Sequence, residues 1–478
     1  MRKEYPTFDQ GVQASPQISQ LLAAKLHSFL QPLLITLDHQ LDKRLVATLL
    51  ALVQTIIIFR DRANGLLLSQ LGGYLLTPRQ APAGTKRISN LLRSPKWAYK
   101  LIEDFLWQQA DLQLTQLHAQ QAPALLLWDE SVVEKSESLK SEGLCSVRSS
   151  KAARLKHVKP GFYSPPSLPI FVPGFQWIGL VLVGLRKESG PPVLAMLRWW
   201  TSRGERASDK RSEEAELLRE CVRRFGSRVI HIWDRGFAGG PWLEQALSRP
   251  KSVRFVLRWP KGYKLVGLLP GQAQVASVPK VQEMLTKPAW QHLRGKRSWT
   301  SGQIWDNTRK CYHKVGIVAV EVRHAEHLDR PLWLVASRPG PGHEPWYLLT
   351  NERVETAEQA WQIMLMYSRR WQIEVSWRYA KSELAFESPR LWSWDNRFKL
   401  LLIATLAFSF LLSLVRESER EKSGMVEWLL RNWCHRTGRR LAEVDLALYR
   451  LRMAMSQLWL AHRPRLSLVC SSFPQSSG

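Results

Sequence analysis

The sequence predicts a mixed α/β chain, helical at both ends, whose strand-and-helix core is interrupted by a β-rich stretch. Three observations lead there. Long apolar or amphipathic helical segments lie before residue 115 and after residue 400. Two short strand-like apolar runs, ALLLW and VIHIW, each run into an aspartate, Asp129 and Asp234. Downstream, a stretch without Pro or Gly from Glu355 to Phe386 carries Glu374 in the spacing Tyr367-x2-Arg370-x3-Glu374-x6-Lys381.

Composition narrows the partner. The 478 residues suffice for two to four domains and a sizeable core. Hydrophobic content of 45% with 22 Trp describes a folded chain. Lys and Arg number 68 against 41 Asp and Glu, a net charge of +27 spread over the whole length. That balance favours a polyanion, nucleic acid first; an anionic membrane surface or a generally basic protein is the alternative. Cysteines 145, 221, 311, 434 and 470 are scattered, with no C-x-x-C and no paired Cys/His spacing recognised. Neither a disulfide framework nor a zinc site is expected, and a reducing, cytoplasmic setting fits. The N-terminus is polar and lacks a signal-peptide core. The apolar runs Leu45–Phe59 and Leu400–Val415 contain Thr, Ser or Gln and fall short of about 18 residues, so buried helices are expected and no membrane partner.

In chain order, residues 1–115 read as a small helical DNA-binding domain, a helical dimer cap being the alternative. An amphipathic segment, Ile18–Leu30, precedes two helices over 41–76, broken near Asn64-Gly65 and Gly72-Gly73. A Pro/Gly-rich joint, TPRQAPAGTK, leads to a helix-turn-helix-like stretch with Pro95 in the turn. There Lys86, Arg87, Arg93, Lys96 and Lys100 suit phosphate contacts, while Leu91, Leu92, Ile102 and Phe105 would pack inward. Residues 120–242 read as the first part of an α/β core. The run ending in Asp129 comes first, then a basic irregular segment (134–173), two strands, a charged helix over Asp209–Phe225, and the strand ending in Asp234. Strand-strand-strand-helix-strand, with Asp on the first and fourth strands, is the order of an RNase H-like fold, in which those strands are neighbours. Residues 243–343 form a β-rich insertion, RFVLRWP included. Residues 344–415 return to the core with the strand WYLLT and the glutamate helix. Residues 416–478 form a helical C-terminal region, a candidate for dimerisation, with a disordered tail.

The chemistry follows from the residue types. At about 100° per residue, Tyr367, Arg370, Glu374 and Lys381 share one side of a helix. Taken alone, Arg370 and Glu374 also make an ordinary i,i+4 pair on a solvated face. With Asp129 and Asp234, Glu374 completes an all-carboxylate set able to hold two Mg2+ about 3.5–4 Å apart for in-line attack at phosphorus, with Mn2+ as a substitute. Arg370 would grip a flanking phosphate with a planar fork, Lys381 as a point charge, and Tyr367 through its hydroxyl. No Ser-His-Asp arrangement or Gly-rich phosphate loop competes, and no small-molecule substrate is expected.

This ordered set resembles the bacterial insertion-sequence transposases of the DDE type, in particular the cut-and-paste group with a Tyr-Arg-Glu-Lys signature. The signature stands at Tyr367, Arg370, Glu374 and Lys381; the Asp234 turn and the Asp129 strand match the other two positions. Ser131 stands two residues after Asp129, where small hydroxyl residues are usual. The likeness covers roughly residues 85–415 and is most specific from Trp346 to Lys381. It implies a nucleoid-associated enzyme of the bacterial cytoplasm that binds the terminal inverted repeats of its own element and a target DNA. It also implies an end-paired homodimer, nicking, a hairpin intermediate and strand transfer. Trp346 would then stack a base flipped from the hairpin; core packing is the other reading of that residue. The competing identity is a non-catalytic DNA-binding protein of transposase descent, against which the intact acidic triad argues.

Overall fold

A computed structural model of the chain describes residues 14–466, except for 61–64, 136–139, 150–151, 153–166, 186–189, 249–252, 269–283, 297–300, 307–310, 338–343, 387–389, 422–423 and 435–447. The expected tail and the basic residues Lys151, Arg154, Lys156 and Lys159 lie outside the described residues.

The N-terminal region is built of α1 (Ser15–Asp38), α2 (Lys43–Ile58), α3 (Leu68–Leu75), α4 (Ala81–Arg93) and α5 (Lys100–Ala119). Asp42 starts α2 by accepting the amides of Arg44 and Leu45, each at 3.0 Å, a cap worth about 1 kcal/mol. Two expectations fail here. Gly72-Gly73 lies inside α3 and breaks nothing, and the Pro/Gly-rich joint is a 3₁₀ turn (Pro78–Gln80) running directly into α4. The glycines serve contact. A Cβ on Gly72 would lie 2.4 Å from the Thr85 amide nitrogen, and one on Gly84 2.2 Å from the Gly72 carbonyl oxygen. The backbones of α3 and α4 touch because neither residue has a side chain. The turn around Pro95 is as read: Leu91, Leu92, Ile102 and Phe105 are buried, and Lys86, Arg87, Arg93 and Lys96 are exposed.

The sheet begins with β1 (Ala124–Glu134), β2 (Cys145–Arg148), β3 (Phe171–Gly184) and β4 (Val193–Trp200). There follow α6 (Lys210–Phe225), β5 (Ile230–Trp233), α7 (Gly240–Leu247) and β6 (Arg254–Arg258). Strands β4, β3 and β1 pair antiparallel, while β1–β5 and β5–β6 pair parallel, giving the lateral order β4-β3-β1-β5-β6. The two aspartate-bearing strands are therefore neighbours, as expected. Asp129 is not strand-terminal, however. β1 stays paired with β3 to Glu134, whereas its pairing with β5 covers only Leu125–Leu127. Asp129 sits just past the point where the parallel partner ends.

A second correction concerns the β-rich stretch. Its first strand, β6, pairs with β5 from Ile230↔Arg254 to Trp233↔Leu257 and so belongs to the central sheet. The next elements are β7 (Lys264–Leu268), β8 (Met284–Pro288), α8 (Ala289–Leu293), β9 (Ser301–Asp306), β10 (Cys311–His324), β11 (His327–Ser337) and β12 (Trp346–Thr350). They extend the same sheet in the order β6-β12-β11-β10-β7-β8, with β9 on β10.

The remaining helices are α9 (Ala357–Ser368), α10 (Trp371–Glu383), α11 (Trp394–Glu421), α12 (Met425–Trp433) and α13 (Leu448–Ala461). By length and composition alone α11 could cross a membrane, but 94% of its apolar window is buried in the protein. It packs against α2, α4, α5, α12 and α13. Lys399, buried on α11, donates to the carbonyls of Leu92 at 3.1 Å and Ser94 at 2.9 Å and lies 4.5 Å over the Trp97 ring. One apolar core thus joins the N-terminal helices, one sheet face and the C-terminal helices; a second fills the other face under α5, α6 and α7.

The α3–α4 contact makes a direct prediction. Gly84→Ala drives a Cβ into backbone and destabilises by roughly 1–3 kcal/mol. Gly73→Ala meets the Ala81 Cβ at 3.6 Å and the Pro78 Cα at 3.9 Å, both ordinary contacts, and gains up to about 1 kcal/mol of helix propensity. Urea midpoints should move in opposite directions; a common shift contradicts the close approach.

Candidate active site

Asp129 and Ser131 share one face of β1, two residues apart. Directly opposite Asp129 in the β1–β3 register stands Gly179. A Cβ at Gly179 would lie 2.1 Å from Cζ2 of Trp377 on α10, so the missing side chain is the seat of the indole. Trp377 also meets Trp177 edge-on at 4.7 Å, and Trp177 stacks on Trp199 at 5.6 Å. This tryptophan anchor fixes α10 across β1 and β3. Glu374 lies about one helical turn before it and Lys381 about one turn after, so the anchor sets both. Lys381 Nζ donates to Ser131 Oγ at 2.6 Å and the Val132 carbonyl at 3.4 Å, 5.7 Å over the Trp177 ring.

The single helix expected from Glu355 to Phe386 is two helices. The chain tightens to i→i+3 bonding at the junction, with Arg370 N to Tyr367 O at 3.0 Å and Ile373 N to Arg370 O at 3.1 Å. The reason is packing: α9 lies on β6, β10, β11 and β12, whereas α10 lies on β1 and α13. Arg369 Nε holds the bend at the Gly184 carbonyl, 3.2 Å away. Tyr367 therefore ends α9, Arg370 occupies the bend, and Glu374 and Lys381 ride on α10. The four residues converge without forming one helical stripe.

Arg370 is the centre of the cluster. Its guanidinium forms an ion pair with Glu374 Oε1, and Nη1 stands 3.7 Å from Asp129 Oδ1. Tyr367 is buried, bonded to Arg258 of β6, and meets Trp346 of β12 edge-to-face at 5.0 Å. Asp234 follows β5 and accepts the Gly236 amide at 2.8 Å, which starts a short 3₁₀ turn. An open cleft of about 350 Å³ is lined by Asp129, Ser131, Glu374, Trp377 and Lys381, with Arg378 and Ser382 at its rim. Lys86, Arg87, Arg93 and Lys96 do not line this cleft.

The cleft sets the carboxylates Asp129 and Glu374 beside the cations Arg370, Arg378 and Lys381. Burial pushes the Asp129 carboxyl up to about 7; Arg370 opposes the shift, while Asp234 and Glu374 add to it. Burial also raises the Tyr367 phenol. Burial works against the Arg370 charge, yet Tyr367, Glu374, Asp129 and Asp234 together hold its pKa above the ordinary value. The ligand atoms of the three carboxylates are not all within 4.8 Å of one another; Asp129 and Glu374 flank the Arg370 guanidinium, and Asp234 acts on it electrostatically. An all-oxygen donor set suits Mg2+ or Mn2+, which Asp129, Asp234 and Glu374 could hold.

Several residues of this site escaped the sequence reading. Arg258 lay in a strand assigned to the insertion. Trp177, Trp377 and Gly179 gave no signal in a chain with 22 Trp and 27 Gly. The one available cue was the spacing of Trp377 from Glu374, one turn along the same helix.

No family model and no curated protein matches the chain. Among solved structures, the piggyBac transposase synaptic complex with hairpin DNA is similar at 14% identity and a TM-score of 0.38, over 87% of this chain and 76% of that one. A likeness at this level identifies neither family nor activity.

The Asp129 environment fixes a pH dependence. Its carboxyl ordinarily ionises near 3.8 and here near 7. Between those values the folded chain keeps a proton that the unfolded chain has lost, so this group's contribution to metal-free stability falls as pH rises through the window. Asp129→Asn cannot ionise, so its stability advantage over the wild type should grow from about pH 4 to about pH 7 and then level off. Denaturant titrations across that range measure the difference; an advantage that shrinks with pH contradicts the placement.

Proposed function

We propose that this chain is a DDE transposase that moves an insertion sequence by cut-and-paste transposition, using Mg2+-dependent phosphoryl transfer at terminal inverted repeats. The observation that carries the reading is the convergence of Asp129, Asp234 and Glu374 around Arg370, from two adjacent parallel strands and a helix locked over Gly179. The lateral order β4-β3-β1-β5-β6, the third, second, first, fourth and fifth strands once the short β2 is set aside, supports an RNase H-like core. The β-rich extension between Asp234 and Glu374 supports an interrupted one. The net charge of +27 supports a DNA partner.

In this reading the three carboxylates hold two Mg2+, which when bound lower the pKa of an attacking water or 3′-hydroxyl and stabilise the leaving oxygen. Arg370, which pairs with Glu374 and stands beside Asp129, would offer its planar fork to a phosphate beside the scissile bond. Lys381 stays tethered to Ser131 and offers a point charge to the next phosphate. Tyr367, held between Arg258 and Trp346, keeps Arg370 oriented from behind and can donate its hydroxyl to a phosphate oxygen. Trp346, half-buried, takes a base flipped from a hairpin end, stacking being worth on the order of 1–3 kcal/mol. Lys86, Arg87, Arg93 and Lys96 bind the duplex outside the cleft, and two chains pair two ends before strand transfer to a target DNA.

Glu374→Gln separates binding from chemistry. It removes a metal ligand and almost no volume, so binding to a terminal-repeat duplex should stay within about threefold while strand cleavage falls by at least about a thousandfold, a loss of roughly 4 kcal/mol. Gel-shift and denaturing-gel assays on one preparation read both. Surviving cleavage would assign the third carboxylate elsewhere.

A further inference from the structure

A second cluster lies away from the cleft, at the tight turn joining β10 to β11. His324 and His327 pair across that turn, with Ala325 and Glu326 between them, and a register shift after Val322 precedes His324. The spacing His324-Ala-Glu-His327 is a paired-histidine motif, so the expectation that the chain has none was wrong. The ligand atoms of His324, Glu326 and His327 all lie within 4.8 Å of one another. A fourth donor arrives from α7: Glu244 Oε2 is 3.2 Å from His327 Nε2. That nitrogen is buried and makes no hydrogen bond. His324 Nδ1 stands 3.7 Å from Glu326 Oε2. Both imidazoles are nearly enclosed, their side chains 13% and 11% exposed. Gly240, the first residue of α7, has no side chain where a Cβ would fall 2.4 Å from Glu326 Oε2.

We propose that His324, His327, Glu326 and Glu244 form a structural site for a zinc-type divalent transition-metal ion. Tetrahedral zinc with bonds of about 2.0–2.1 Å places neighbouring ligand atoms roughly 3.3 Å apart. The His327–Glu244 and His324–Glu326 nitrogen–oxygen separations, 3.2 and 3.7 Å, bracket that value. The ligand atoms of His324, Glu326 and His327 already lie within 4.8 Å of one another, so Glu244, placed against His327, is the donor that must move to complete the shell. Two neutral imidazoles and two carboxylates balance a divalent charge. The donors also separate this site from the carboxylate cleft: imidazole selects zinc-like ions, whereas an all-oxygen set selects Mg2+ or Mn2+. An ion here would tie α7, which follows the Asp234 turn, to the far half of the sheet. It would thus clamp the β-rich extension against the strand end that carries Asp234. This proposal does not rest on the transposase reading.

The test needs no DNA. The full-length protein is stripped with a chelator and titrated with Zn2+ against a chromophoric competitor. One equivalent should bind tightly, and Co2+ in its place should give the intense visible bands of tetrahedral coordination. His324→Ala and His327→Ala should each lose affinity by more than the roughly 10–100-fold typical of removing an outer-shell partner. Asp129→Ala should retain the full equivalent. Where a histidine variant does not fold, Glu244→Gln, altered at a side chain 59% exposed on α7, carries the same comparison by its loss of affinity. The site is refuted if the stripped wild type takes up no zinc at micromolar concentration, or if His324→Ala, His327→Ala or Glu244→Gln binds as the wild type does. Loss of binding in Asp129→Ala would equally overturn it, by moving the ion to the cleft.

Discussion

Arg370 between Asp129 and Glu374 is the interaction on which the rest of the site depends. Like charges about 4 Å apart repel by about 4 kcal/mol at an effective dielectric constant of about 20. Against a stability of roughly 5–15 kcal/mol, a counter-charge between neighbouring carboxylates matters. The guanidinium supplies it in the chain alone, and its own charge is held in place by Tyr367 and the carboxylates. Burial keeps the Asp129 carboxyl far above its ordinary range, with Asp234 and Glu374 adding to the shift and Arg370 opposing it.

That arrangement needs a rigid mount, and the fold provides it apolarly. Asp129 is fixed by the antiparallel β1–β3 pairing, Glu374 by the tryptophan anchor over Gly179, and Arg370 by a bend that lets α9 and α10 follow different surfaces. The long α11 backs this mount from the core, and its buried Lys399 carries the constraint to the exposed basic turn around Pro95. The basic N-terminal surface and the carboxylate cleft are therefore parts of one packed body.

Much of this was legible in the residues. The strands that carry Asp129 and Asp234, the two strands and charged helix between them, the strand Trp346–Thr350 and the buried character of Leu45–Phe59 follow from periodicity and caps. By contrast, β2 lies in the basic stretch expected to be irregular. What was hidden has physical causes. Gly72, Gly84 and Gly179 read as breakers or as nothing, because a glycine used for close approach looks the same in sequence as one used for a turn. The bend at Arg369-Arg370 has no Pro or Gly to mark it; it is imposed by two packing surfaces that only tertiary structure creates. Arg258 was misplaced because a strand's sheet neighbours are not encoded in its own residues. His324 and His327 give little signal in sequence because no cysteine lies near them and Glu244, the neighbour of His327, comes from a distant helix.

The most direct measurement is strand cleavage on a duplex carrying the element's candidate terminal repeat, with and without Mg2+, for the wild type beside Asp129→Ala. The products are resolved on a denaturing gel. The account predicts nicks at the repeat boundary only with metal and only in the wild type. DNA binding without any metal-dependent cut in the wild type, or cuts that persist in Asp129→Ala, would contradict it.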